Sequence, residues 1–160
     1  MHHCFAPVTR PDTRLIVLGS LPGARSLAEG RYYANPLNQF WRLIGGVIGR
    51  DLGPLGYEAR LEVLLEAGIG LWDTIAAATR EGSLDADIRL HEASDLDALR
   101  AAHPGLRALA FNGRKAAAIG RRQLADAAGI GLVDLPSSSP AYTLAFAKKL
   151  EAWLALRAYL

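Results

Sequence analysis

The stretch "RLIVLGS" (residues 14–20) is a short apolar run that ends in glycine and serine, and this pattern predicts a buried β-strand. Three later runs have the same character, and they cover residues 68–73, 108–113 and 131–136. Patterns typical of helices separate these runs, and strands that alternate with helices form mainly parallel sheets. We therefore expect an α/β fold with a mainly parallel sheet.

The helical patterns have recognisable starts. Asn35 followed by Pro36 predicts the start of one helix, because proline is favoured at the first helical position. The side chains of Ser94 and Asp95 can cap the start of another helix. The polar stretch at residues 80–93 is expected to be a surface loop. The predicted helices cover residues 36–49, 57–67, 94–103, 113–128 and 141–159.

Length and composition predict a single globular domain over residues 1–160. Hydrophobic residues make up 51% of the chain, which is enough for one well-buried core. The single cysteine, Cys4, excludes internal disulfides and any cluster that needs three or four thiolates. No apolar stretch approaches the roughly eighteen residues of a membrane span, and the chain start lacks the apolar core of a secretion signal. We therefore expect a cytoplasmic monomer that does not contact a membrane.

Unusual residues follow all four predicted strands. The strand ends are "GSLPG", "WDT", "FNG" and "LPSSSPAY". In an open parallel sheet, ligands bind beyond the carboxyl ends of the strands, where loop amides and helix N-termini converge. The functional site is therefore expected at this edge of the sheet.

Several common chemistries lack their residues at this edge. A P-loop needs a lysine after its last glycine, and a dinucleotide site needs three spaced glycines, but "GSLPG" has neither. The histidines at positions 2, 3, 91 and 103 lie away from the strand ends, so a serine hydrolase is not expected. His2, His3 and Cys4 could ligate a metal in principle, but a fraying terminus is the better interpretation, so we expect no metal.

The groups that remain at this edge are asparagines, serines, tyrosines, backbone amides and the carboxylate of Asp73. Aromatic faces stack on a nucleobase, amides and a carboxylate read its edge, and a Ser-rich or Gly-rich backbone holds phosphates. The set therefore suits a flat polar heterocycle next to a phosphate chain.

Several motifs together carry a resemblance to a known family: "GSLPGARSL", "YYANPLNQFW", "GLWDTI" followed by "REGSLDADI", "FNG" and "LPSSSPA". They resemble the uracil-DNA glycosylase superfamily over nearly the whole chain, and most closely its hypoxanthine-DNA glycosylase branch. The resemblance implies a three-layer α/β/α fold around a central four-stranded parallel sheet. It implies a monofunctional enzyme without a cofactor that flips a deaminated base out of DNA and hydrolyses its N-glycosidic bond. Its partner would be DNA that contains such a base.

The resemblance also assigns roles to individual residues. Relatives often carry Asp or Asn in the first motif to position the attacking water, whereas this chain has Leu21, and in the hypoxanthine branch that role moves to Asn38. Tyr33 matches the aromatic residue on which the flipped base stacks, and Asp73 matches the position that reads the base edge. Asn35 stands where relatives usually have histidine, so the role of that histidine does not carry over. The other matches are Ser20, Gly23 and Asn112 around the base, and Ser137, Ser138, Ser139, Pro140 and Ala141 in a loop that presses on DNA phosphates.

Other interpretations stay open at this point. Asn38 could cap a helix, Tyr33 could belong to the core, and Asp73 could cap a turn. Schiff-base chemistry would need a lysine in the crevice. The lysines are Lys115, just after "FNG", and Lys148 and Lys149, which look like a solvated helix face, so simple hydrolysis is favoured. The alternative functions are removal of uracil or thymine from mismatches by an enzyme of the same superfamily, and a DNA-binding module that retains the scaffold without catalysis.

Overall fold

The structure is a computed structural model that describes residues 2–3, 5–80 and 88–160, with the backbone alone described for residues 2–3, 77–80 and 88–92. In chain order, the strands are β1 (His2–His3), β2 (Leu15–Gly19), β3 (Ile69–Asp73), β4 (Ile75–Arg80), β5 (Ile88–Ala93), β6 (Ala108–Asn112) and β7 (Gly131–Leu135). The helices are α1 (Ala24–Glu29), α2 (Phe40–Ile48), α3 (Tyr57–Glu66), α4 (Leu96–Ala101), α5 (Arg114–Gln123) and α6 (Phe146–Trp153), followed by a 3-10 helix at Leu154–Tyr159.

The four strands predicted from apolar runs form one parallel sheet in the order β3-β2-β6-β7. In the register of this sheet, Leu15 of β2 lies between Ile69 of β3 and Ala108 of β6. All four strands therefore end at the same edge. The prediction of a central four-stranded parallel sheet is confirmed.

Helices cover both faces of the parallel sheet. Leu15 and Val17 of β2 pack into a core that contains apolar residues of α2, α3 and α6. Ile16 and Leu18 point to the opposite face and pack against residues of α4 and α5. Successive strand residues face opposite sides, so one buried strand can serve both cores. The result is the three-layer α/β/α arrangement.

A second, antiparallel sheet has the order β1-β4-β5 and was not predicted. The surface-loop prediction for residues 80–93 is wrong where β5 forms, and residues 81–87 lie outside the described part of the chain. The run "IRLH" at the start of β5 alternates apolar and polar residues, which is a strand signal. The chain start was expected to fray, but His2 and His3 pair with Ala78 and Ala77 of β4.

Helix α2 begins at Phe40 instead of residue 36, so the predicted Asn35-Pro36 start is wrong. The Asn35 side-chain oxygen accepts the Leu37 N–H at 3.0 Å, and the Asn35 carbonyl accepts the Asn38 N–H at 2.9 Å. These bonds form a turn at the place where the helix was expected, because asparagine side chains compete with the backbone for such donors. The helix begins only after this turn.

Other helix boundaries also differ from the predictions. Helix α1 was not predicted, and α5 ends at Gln123 although the pattern extended to residue 128. Helix α6 begins five residues later than predicted, because Ser139 accepts the N–H groups of Ala141 and Tyr142 in a turn before it. The cap of α4 is confirmed, because Asp95 Oδ1 accepts the Ala98 N–H at 2.9 Å.

Candidate active site

The ends of β2, β3 and β6 bring Gly19, Asp73 and Asn112 next to one another. Gly19 continues the alternation of Leu15 and Val17, so a side chain there would face the α2 side of the sheet. A Cβ atom on Gly19 would lie 2.7 Å from Asp73 Oδ1 and 3.4 Å from the hydroxyl oxygen of Tyr33. Asp73 itself is buried. Glycine at this position therefore leaves space for both the carboxylate and the tyrosine hydroxyl at the strand ends.

The Asn112 amide joins two loops at this edge. Its Nδ2 group donates to Ser138 Oγ at 2.9 Å and to the Tyr33 hydroxyl at 3.3 Å, while its Oδ1 accepts the Ser138 N–H at 2.9 Å. Both side-chain N–H groups of Asn112 thus have partners within the protein, and Oδ1 keeps one acceptor site. Asn112 and Ser138 are both buried, so the reciprocal pair fixes the start of the loop after β7, residues 136–142, which we call the serine loop.

Tyr33 has an unusual backbone conformation. Its φ is 52°, which is the left-handed region that non-glycine residues rarely adopt and that costs on the order of 1 kcal/mol. Its ring stacks on Phe40 with a centroid distance of 3.9 Å and an interplanar angle of 9°, and its carbonyl accepts the indole N–H of Trp41 at 3.2 Å. These contacts hold the ring with one face against Phe40.

Asn38 lies on the loop of residues 34–39 between Tyr33 and α2, which we call the Asn38 loop, and its side chain is half-buried. Its Oδ1 accepts the Phe40 N–H at 2.9 Å, which fixes the amide orientation and leaves one acceptor site on the same oxygen. Asn38 and Tyr33 line a common groove of about 610 Å³. The described lining of this groove does not include Asp73 or Asn112. Tyr33 is therefore the residue that the groove shares with the strand-end cluster, by which we mean Tyr33, Asp73 and Asn112.

The first motif has no polar group at the position of Leu21. Leu21 is buried in a small apolar cluster with Ile75 and Ile119. Ser20 is buried at the end of β2, and its carbonyl accepts the Ile75 N–H at 3.0 Å. Gly23 caps α1, where its carbonyl accepts the Leu27 N–H.

The serine loop after β7 is organised by its own side chains. Ser137 Oγ accepts the Ser139 N–H, and Ser139 Oγ accepts the Ala141 N–H, both at 3.1 Å. The Ser138 carbonyl accepts the N–H of Gln39, so the loop is also joined to the Asn38 loop. Pro140 and Ala141 are exposed at its tip.

Lys149 is not on a solvated face, so that prediction is wrong. Its side chain is 0% exposed, whereas the side chain of Lys148 is 70% exposed. Burial lowers the pKa of the Lys149 ammonium. Lys149 lies three residues after Phe146 and four before Trp153, and this helical spacing places it on the apolar face of α6. The same spacing was available in the sequence.

The structure thus brings together Tyr33, Asp73, Asn112 and Ser138, and it places Asn38 on the adjoining groove. Their predicted roles in binding and catalysis remain predictions. No group of three His, Cys, Asp or Glu side chains in the described residues could hold a metal ion. Within residues 2–3, 5–80 and 88–160, no helix has the length and apolarity needed to cross a bilayer.

A carboxylate and an amide at the ends of parallel strands, with an aromatic ring beside them, form the kind of site in which an enzyme can hold a single nucleobase. The family profile described as "Uracil DNA glycosylase superfamily" matches residues 6–159. The chain belongs to this superfamily. Membership confirms the predicted resemblance and makes the chain a DNA glycosylase by class.

Individual relatives agree with this assignment. A protein of Methanosarcina acetivorans named hypoxanthine DNA glycosylase is 45% identical over 70% of this chain and 71% of its own length. A protein of Methanosarcina barkeri with the same name is 43% identical over 69% of this chain and 70% of its own length. A solution NMR structure of a candidate uracil DNA glycosylase from Methanosarcina acetivorans has a TM-score of 0.86 and 39% identity, covering 98% of this chain and 97% of that one.

Proposed function

We propose that this enzyme removes hypoxanthine from DNA that contains deoxyinosine, by hydrolysis of the N-glycosidic bond. The observation that carries the proposal is the cluster of Tyr33, Asp73 and Asn112 at the strand ends, with the Asn38 amide on the adjoining groove. The names of the two Methanosarcina relatives support hypoxanthine as the base. The buried apolar position of Leu21 supports it as well, because Leu21 has no group that could hold a water molecule.

Hydrolysis of this bond passes through a sugar with the character of an oxocarbenium ion, while negative charge grows on the departing base. We assign Asn38 the placement of the attacking water. The Phe40 N–H occupies one acceptor site of Asn38 Oδ1 and holds the amide still, so the second site can accept a hydrogen bond from water. A neutral amide suffices for this task, because a sugar cation does not need a strongly activated nucleophile.

We assign Tyr33 the stacking of the flipped base. Phe40 covers one face of the tyrosine ring, so the base would stack on the opposite face. Asp73 would accept the N1–H of hypoxanthine at the base edge, and Ser20 and Gly23 would line the sugar side. Asn112 donates a hydrogen bond to the Tyr33 hydroxyl, and this contact favours a role for Asn112 in orienting the Tyr33 ring in the same site.

The serine loop would contact the phosphates on either side of the flipped nucleotide. Its exposed tip at Pro140 and Ala141 can approach the DNA, and its hydroxyl and amide groups are of the kind that contact phosphate oxygens.

We further infer that the whole chain works as one domain and as a monomer. A genomic DNA substrate implies the compartment that holds the genome, which is the cytoplasm in a cell without a nucleus.

The test is an excision assay on a panel of duplexes. Otherwise identical labelled oligonucleotides carry hypoxanthine, uracil opposite guanine, thymine opposite guanine, or only normal bases. We expect cleavage at hypoxanthine to be the most efficient, as kcat/KM. Uracil is the second candidate, because the NMR neighbour is described as a candidate uracil DNA glycosylase. Excision of uracil without cleavage at hypoxanthine would overturn the proposed base, and no excision of any base would overturn the proposed activity.

A further inference from the structure

Helix α6 carries a buried ammonium group whose partners all lie in the two loops beside the candidate site. Lys149 Nζ donates to Gln39 Oε1 at 2.9 Å and to the Ser139 carbonyl at 3.2 Å, and it lies 5.3 Å from the ring centroid of Tyr142. Among the ion pairs of the described residues, none involves Lys149. Neutral groups from two separate segments therefore hold this cation.

The two segments are the ones that carry the Asn38 amide and the serine loop. Gln39 directly follows Asn38, and its own N–H donates to the Ser138 carbonyl at 3.0 Å. Lys149 adds a second connection between the same segments, from the Gln39 side chain to the Ser139 carbonyl. Trp153, one turn further along α6, donates its indole N–H to the Pro136 carbonyl at 3.0 Å. Helix α6 therefore contacts the start of the serine loop through Trp153 and its later residues through Lys149.

Stability alone does not account for a charge at this position. Burying an ammonium carries a desolvation penalty that an apolar side chain of similar length would not carry. Its burial also keeps the ammonium away from solvent, so it is not placed to contact a DNA phosphate as the structure stands. The remaining advantage is geometric, because three hydrogen-bond donors on one atom can fix two loops relative to each other.

We infer that Lys149 is a positioning residue for base excision, because it fixes the Asn38 loop against the serine loop through Gln39 and Ser139. This inference rests on the proposed function, since it concerns the geometry of the same site. Removal of the ammonium should let the two loops move apart by up to about 1 Å. A displacement of that size costs up to about a hundredfold in rate when it affects a positioned group.

The experiment compares Lys149→Met with Lys148→Met, a matched control on the neighbouring exposed lysine. The substrate is a duplex with one deoxyinosine, and the rate is measured in a single turnover at saturating enzyme. We expect Lys149→Met to slow excision by about ten- to a hundredfold and Lys148→Met to change it by less than about twofold. Lys149→Met removes the desolvation penalty of the ammonium but leaves the Gln39 and Ser139 acceptors without their donor, so the melting temperature should stay within a few degrees of the wild type.

Binding of the same duplex with a non-hydrolysable 2′-fluoro deoxyinosine separates positioning from direct contact. A lysine that contacts phosphate contributes about one unit to the slope of log Kd against log salt concentration. We expect Lys149→Met to leave this slope unchanged. A slope that falls by about one unit, or an unchanged excision rate, would overturn the inference.

Two changes at Gln39 test the proposed route, and the two single variants do so without requiring that Lys149→Met folds. Gln39→Leu removes the acceptor and should slow excision as Lys149→Met does, and the double variant should be no slower than either single variant. Gln39→Glu retains an acceptor for the ammonium and should retain the excision rate. Additive losses, or a Gln39→Leu variant as fast as the wild type, would contradict the route through Gln39.

Hydrogen exchange provides a readout that does not require activity. The Gln39 N–H should exchange faster in Lys149→Met than in the wild type, while the N–H groups of β2 should not change. Unchanged exchange at Gln39 overturns the positioning role even in an active enzyme. Faster exchange in a protein that cleaves no base would support the positioning role and reject the proposed function.

Discussion

Gly19→Ala is the smallest change that tests whether the strand-end cluster is the base site. The added methyl group would lie 2.7 Å from Asp73 Oδ1, which is about 0.7 Å closer than an ordinary contact of 3.4 Å. Because Asp73 is buried, the carboxylate must leave its rotamer or its position, at a cost of about 0.5–1.5 kcal/mol. A shift of this size in a group that reads the base should lower kcat/KM for hypoxanthine excision by about ten- to a hundredfold.

Gly19→Ala should change the free energy of unfolding much less than it changes the excision activity. Alanine reduces the entropy of the unfolded chain by about 0.4–1 kcal/mol relative to glycine, which offsets part of the strain. The net change in the free energy of unfolding should therefore stay within about 1 kcal/mol, or a few degrees in Tm. Gly105→Ala is the matched control, because a Cβ atom there meets nothing within 4 Å. Wild-type excision by a folded Gly19→Ala variant would refute the assignment of Asp73 and Tyr33 to the base pocket.

Two further predictions concern Tyr33 and Lys149. Tyr33→Ala should lose the hydroxyl contacts and also one base stack, which is worth about 1–3 kcal/mol. Tyr33→Phe retains the ring and should lose only the hydroxyl contacts, about 0.5–1.5 kcal/mol for a hydrogen bond such as the one with Asn112. Equal losses in kcat/KM for both variants would rule out stacking. Burial lowers the pKa of Lys149 below its ordinary value of 10.5, so the folded state releases this proton at lower pH than the unfolded state. The free energy of unfolding of the wild type, relative to that of Lys149→Met, should therefore rise as pH increases from the lowered pKa towards 10.5. Urea unfolding at several pH values measures this. If the difference in unfolding free energy between the two proteins does not change with pH, the linkage is contradicted.

The parallel sheet could be predicted because each of its strands is a continuous apolar run, which is what burial on both faces requires. The antiparallel sheet could not be predicted with the same ease, because the pairing of β1 with β4 joins residues more than 70 positions apart. No local pattern in "HH" indicates such a partner. The start of α2 was predicted too early because Asn35 and Asn38 each accept a backbone N–H two residues further on, and these turns delay the helix.

The place of the candidate site was predicted from motifs that follow the strands, and the structure has Asp73 and Asn112 at neighbouring strand ends, with Tyr33 brought next to them by the loop before α2. Lys149 was missed because its charge was given more weight than its spacing from Phe146 and Trp153. The spacing indicates a buried face, but nothing in the sequence indicates which groups would accept the hydrogen bonds of a buried ammonium. Those acceptors belong to distant parts of the chain and meet only when the fold is complete.

A single-turnover assay of hypoxanthine excision with Asn38→Ala and Asn35→Ala tests whether the Asn38 amide places the attacking water. Both asparagines accept a backbone N–H two residues ahead, so the Asn35 variant controls for the loss of such a turn. We predict that Asn38→Ala lowers the rate by about a hundredfold or more while Asn35→Ala stays within about threefold of the wild type. An Asn38→Ala variant that excises hypoxanthine at the wild-type rate would contradict the account.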